Sequence, residues 1–110
     1  MRLKKGKLRP KISGLCTEVL LAVILITSLE SALGYEFTIT SATDGKHSKG
    51  SRHYIGGAVD FRSKDIVSLK IKKDIVNKVR ARLTKDYFFA LESLGKLNEH
   101  FHLEWDPVRD

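Results

Sequence analysis

A chain of 110 residues with 42% hydrophobic residues is long enough for one small packed domain and too apolar to stay unfolded. Its single cysteine excludes an internal disulfide and any thiolate-rich metal site. The formal net charge of +7 suits a polyanionic partner, whether nucleic acid, anionic lipid or a cell wall rich in carboxylate and phosphate, and charge alone does not choose among them.

Arg2, Lys4, Lys5, Lys7, Arg9 and Lys11 crowd the first eleven residues, so 1–11 is expected as a basic, disordered segment and 12–110 as the domain. Residues 15–33 are apolar. A basic head before a short apolar run resembles a secretory signal peptide. Glu18, Thr27, Ser28 and Glu30 interrupt the run, however, and no membrane span is expected from it. Leu15, Val19, Ala22, Val23, Ile26, Leu29 and Leu33 recur at helical spacing, which predicts a core helix with Glu18 and Glu30 toward water and Gly34 at its end. Cys16 lies in this run as a small buried hydrophobe.

Residues 37–40 alternate like a half-buried strand, and 41–50 are polar, hence a loop. Residues 58–62 read as a second strand, with Ala58, Asp60 and Arg62 on one face and Val59 and Phe61 on the other. Ile71, Ile75, Val76, Val79 and Leu83 predict an amphipathic helix whose surface carries Lys72, Lys73, Lys78, Arg80 and Arg82. Residues 87–91 form a third strand, 94–98 a turn, and 100–105 a fourth strand stopped by Asp106-Pro107. The sum is a small α+β domain, expected as a monomer, with a largely antiparallel four-stranded sheet and two main helices.

Two stretches carry the candidate chemistry: 51–60 and 99–102. His53 and Asp60 can meet if the backbone bends sharply, and Gly56 and Gly57 allow that bend. Ala58 leaves room beside the Asp60 carboxylate, which on a sheet face is best compensated by a cation. His100 and His102 share a face by the strand period, so both are candidates for the site. Glu99 has the opposite parity and reaches the site only from the strand entrance or through a bulge. Two imidazoles and a carboxylate leave a metal position open for water, and a second carboxylate can move protons, an inventory that suits a hydrolase. The plainer readings pair Asp60 with Arg62 or a turn amide, leave His47 in solvent, use Tyr54, Phe101 and Trp105 for packing, and make Glu104 and Asp106 ordinary surface acids.

Ser51-x-His53-x-x-Gly56-x-Ala58-x-Asp60 resembles the S-x-H-x-x-G-x-A-x-D signature of the zinc D-alanyl-D-alanine carboxypeptidases. Their relatives are VanX-like dipeptidases and phage L-alanyl-D-glutamate endolysins, which share the fold of the Hedgehog signalling domain. A match at every fixed position is expected in on the order of one in a few million random windows. Glu99-His100-Phe101-His102 matches the family's second element, E-x-x-H. The resemblance covers about residues 12–107. It implies that His53, Asp60 and His102 bind Zn2+, that Glu99 is the catalytic base with His100 beside it, and that Ser51 steadies the first motif. One departure stands out. Family members often carry an arginine after a strand ending in Thr-Ser, whereas here Ile39-Thr40-Ser41 is followed by none, and Lys46, His47 or Arg52 are the candidates to stabilise an oxyanion.

The function implied is a zinc peptidase cutting peptidoglycan stem peptides at D-Ala-D-Ala or L-Ala-D-Glu, held on the anionic wall by its basic surface. A phage-type lysis protein of this kind is made in the cytoplasm and acts on the wall, and a wall-remodelling enzyme would use the N-terminal run as a signal peptide. The alternatives are a zinc-bearing binding module whose catalysis has lapsed and a basic nucleic-acid-binding protein. The latter lacks interleaved surface aromatics, so no specific nucleic acid is expected.

Overall fold

The apolar periodic run of residues 15–33 becomes α1 (Thr17–Leu33), closed by Gly34 in the left-handed conformation, φ 67°, with its N–H on the carbonyls of Glu30 and Ser31. This computed structural model describes residues 1–6, 9–43 and 56–107. Val19, Ala22 and Ile26 supply the buried stripe of α1. Glu30 does not point into solvent as expected. Its carboxylate accepts the Phe37 amide at 2.7 Å and so ties the end of the helix to the strand that follows. No helix among the described residues is long and apolar enough to cross a membrane.

The remaining elements are β1 (Arg2–Leu3), β2 (Thr38–Ser41), β3 (Ala58–Arg62), α2 (Leu69–Arg80), β4 (Tyr87–Glu92) and β5 (His100–Trp105). They give the expected α+β class, but the sheet has five strands in the order β1-β2-β3-β5-β4 and is mixed, not four antiparallel strands. The extra strand comes from the segment expected to be disordered. Arg2 and Lys4 donate their backbone N–H groups to the carbonyls of Phe37 and Ile39 at 2.8 and 2.9 Å, so β1 runs parallel to β2. Basic side chains do not prevent this, because the ladder uses only the backbone, and charged residues are the ordinary occupants of a short edge strand.

Ser68 caps α2 by accepting the Ile71 amide at 3.2 Å. The buried face of α2 is Lys72, Ile75, Val76 and Val79, with Ile71 54% exposed. Ile75, Val76 and Val79 are buried as expected, and Lys72 takes the inward place expected of Ile71. Position 72 lies three and four residues before Ile75 and Val76, at the centre of the face that those side chains define.

Both helices lie against one face of the sheet. Val59, Phe61, Phe89, Phe101 and Leu103 form a single core with Val19, Ala22, Ile26, Ile75, Val76 and Val79. Within it Phe37 meets Phe61 edge-on at 5.5 Å and Phe89 stacks on Phe101 at 5.7 Å. Gly56 shows why its motif position needs glycine. Its φ is 73°, its carbonyl accepts the Cys16 amide at 2.9 Å, and a Cβ there would fall on the Gly14 carbonyl oxygen. Where β3 begins, the backbone entering α1 therefore crosses in direct contact.

Candidate metal centre

Strand alternation that sends Val59, Phe61, Phe101 and Leu103 into the core turns every second residue the other way. Two uninterrupted antiparallel registers then lay out a grid across β3, β5 and β4. Ala58, Glu104 and Phe88 form one row, Asp60, His102 and Ala90 the next, and Arg62, His100 and Glu92 the third. His102 occupies the centre. The small side chain of Ala90 beside it leaves room for Glu92 to lean across diagonally.

Asp60, His100 and His102 converge there, each offering one donor atom within 4.8 Å of the others. His102 Nδ1 is 2.7 Å from Asp60 Oδ1, and His100 Nε2 is 3.6 Å from the same oxygen. Glu92 Oε1 is 3.3 Å from His100 Nε2 and 3.9 Å from His102 Nδ1. Each imidazole has its other nitrogen on an acceptor outside this group. His100 Nδ1 is 2.6 Å from the Asn98 carbonyl, to which it can only donate, and His102 Nε2 is 3.2 Å from Glu104 Oε1. The Asn98 carbonyl sets Nδ1 of His100 as a donor, whereas His102 has a carboxylate oxygen at each ring nitrogen and can donate to either. Carboxylates gathered on two imidazoles favour a cation among them, either a proton on a ring or a metal ion. For His102, burial alone lowers the pKa, but the hydrogen bond and charge of Asp60, with Glu92 and Glu104, outweigh it and raise the pKa above the usual imidazole value.

Glu99 lies elsewhere. β5 pairs with β3 through His100 without a bulge, so Glu99 keeps its opposite parity and sits on the helix side of the sheet. Its Oε2 accepts Ser63 Oγ at 2.5 Å and Lys72 Nζ at 2.7 Å, and Oε1 accepts the Gly95 amide at 3.2 Å. Burial would raise its pKa, but these three donors outweigh that and hold the carboxyl down at about 2. Glu99 thereby clamps the turn between β4 and β5, the turn whose Asn98 carbonyl orients His100.

Of the residues expected in the site, Asp60, His100 and His102 come together, and Glu99 does not join them in this conformation. His53, Ser51, Arg52, His47 and Lys46 lie outside the described residues. Sequence reasoning missed Glu92 and Glu104. Glu104 shares the parity of His100 and His102, and that parity puts it on their face and not on the solvated surface expected of it. Its side chain is only 15% exposed and orients His102. Glu92 was out of reach, because it joins the face only through the β4–β5 register.

No family model, curated protein or solved structure matches this chain. The likeness to the zinc carboxypeptidases therefore stands on the two motifs and on the meeting of Asp60 with His102.

Proposed function

We propose that the chain is a zinc-dependent peptidase acting on the stem peptides of peptidoglycan, at a D-Ala-D-Ala or L-Ala-D-Glu bond. One observation carries this reading: Asp60 of the first motif and His102 of the second, 42 residues apart, are hydrogen-bonded across the β3–β5 ladder. The donor set fits zinc, which takes imidazole and carboxylate ligands, with His102 turned by Glu104 in a carboxylate–histidine–metal arrangement. When bound, zinc supplies Lewis acidity, which makes water nucleophilic near neutral pH and polarises a carbonyl. Asp60 and His102 hold the site on adjacent central strands, which limits how far either donor can drift. The basic surface serves to hold the chain on an anionic wall.

The test is digestion of purified peptidoglycan with and without chelator, followed by mass spectrometry of the new termini. Cleavage that zinc restores, with one kind of new terminus, is expected. Intact stem peptides after prolonged incubation with zinc-loaded protein would contradict the reading.

A second reading, a zinc-bearing binding module without turnover, has one observation in its favour: the Glu99 carboxylate is taken up by Lys72, Ser63 and Gly95 on the opposite side of the sheet. Zinc and tight retention on peptidoglycan without release of peptides would support it.

A further inference from the structure

We propose that the outer side of the helix layer docks on an anionic lipid bilayer, with an apolar stripe of α1 among the acyl chains and the lysines of α2 against the headgroups. The stripe is Leu20, Leu21 and Ile24, whose exposures of 43%, 58% and 65% leave them in water. This surface lies on the opposite side of the sheet from Asp60 and His102, and the proposal stands whether or not the chain cuts peptides.

Val19, Ala22 and Ile26 bury one side of α1 in the core. By the helical period, Leu21 and Ile24 fall on the far side, with Leu20 at its edge and Thr17 and Ser28 between them. A surface helix ordinarily carries charge there. The two charged residues of α1 do not supply it, because Glu30 is turned to the Phe37 amide at 2.7 Å and Glu18 is half-buried. α2 buries Ile75, Val76 and Val79 in the same core, so its outward residues look the same way as those of α1. They include exposed Lys70 and Lys73 with Asp74, whose carboxylate is ion-paired with Lys78 at 2.9 Å. Leu69 and Ile71, also exposed, flank Lys70 and add apolar surface among these charges.

Charge and apolarity together choose the occupant. Lysines attract anions of any kind, but duplex nucleic acid and wall polymers present charge and hydroxyl groups without hydrocarbon. A bilayer of anionic lipid offers phosphate at its surface and hydrocarbon just beneath. A second copy of the chain fits less well on two counts. Each copy carries a net charge of +7, and three partly exposed aliphatic side chains fall well short of the about 800 Å² per partner of a stable interface. No helix among the described residues is long and apolar enough to cross a membrane. α1 accordingly lies along the bilayer, its outer side reaching about 5–10 Å into the boundary of headgroups and acyl chains.

The experiment floats the full chain with vesicles of phosphatidylcholine alone, or of phosphatidylcholine with an equal part of phosphatidylglycerol. The parent is compared with the double variants Leu21→Gln with Ile24→Gln and Lys70→Gln with Lys73→Gln, and circular dichroism checks that each is folded. Should the first double variant not fold, Ile24→Gln alone, at the most exposed position of the three, takes its place. The parent is expected to bind the anionic vesicles at least about tenfold more tightly than the neutral ones. Each double variant should bind them about tenfold more weakly than the parent. Added salt should weaken the parent without releasing it fully, and release the Leu21/Ile24 variant altogether. Failure of the parent to float with anionic vesicles, or equal binding to both kinds, would overturn the proposal. Parental binding by the Leu21/Ile24 variant would overturn it too, since the surface would then be a general polyanion site. So would self-association in sedimentation that this variant abolishes, because a second copy would then cover the stripe. No peptidoglycan is present, so failure of the peptidase reading leaves the result standing.

Discussion

The two faces of β3, β5 and β4 carry the same number of strands and opposite physics. On the helix side, Phe61, Phe89, Phe101 and Leu103 form one core with α1 and α2, and the pair of Lys72 with Glu99 is buried and matched at 2.7 Å. On the other side, Asp60, His100, His102, Glu92 and Glu104 crowd carboxylates around imidazoles. One side thus matches a single ammonium with a single carboxylate, whereas the other gathers several carboxylates on two imidazoles, groups that can exchange a proton or ligate a metal. The two motif acids, Asp60 and Glu99, fall on different sides of this division.

Truncation should separate the faces most strongly at neighbouring positions of β5. Phe101→Ala is expected to cost about 4 kcal/mol in denaturant unfolding, while His102→Ala in the presence of chelator costs under about 1 kcal/mol. Equal losses would mean that the His102 face is part of the core. Next in size, Glu99→Ala should cost about 3 kcal/mol, because it leaves Lys72 charged and buried. The double change Glu99→Leu with Lys72→Met should recover most of that stability, and a double variant as unstable as Glu99→Ala would show that the pair is not the cause.

Acid sharpens the same comparison with a smaller effect. The folded pKa of Glu99, about 2, lies below its ordinary value of 4.5. Its contribution is therefore complete above about pH 4.5 and is lost as the pH falls toward 2. Unfolding midpoints measured from pH 6 to pH 2 should fall less steeply for the double variant than for the parent. Parallel curves would remove Glu99 from the account of acid stability. The smallest effect tests the phase of α2: Ile71→Lys should change stability by under about 0.5 kcal/mol, since Ile71 is exposed and Lys72 takes the inward place. A loss of several times that size would restore the stripe read from hydrophobicity alone.

Much of the fold was legible because periodicity reports burial directly. Val19, Ala22 and Ile26 mark α1, and alternation at 58–62 and 100–105 marks β3 and β5 with the correct faces. The meeting of Asp60 and His102 was legible only through the motifs, since no local pattern says which strands pair. Three features were hidden for distinct reasons. β1 forms through backbone hydrogen bonds, to which a basic composition is blind. Lys72 reads as surface unless its partner Glu99 is known to be across from it. Glu92 joins the face of His100 and His102 through register, which is a property of two strands and not of one.

Asp60 and His102, one from each motif, stand close enough to share a metal ion. The most direct measurement is the zinc content of the purified chain after dialysis against a weak chelator, for the parent, Asp60→Ala and His102→Ala. One equivalent in the parent and none in either variant is the predicted result; a full equivalent retained by both variants, or a parent that never holds zinc, would contradict it.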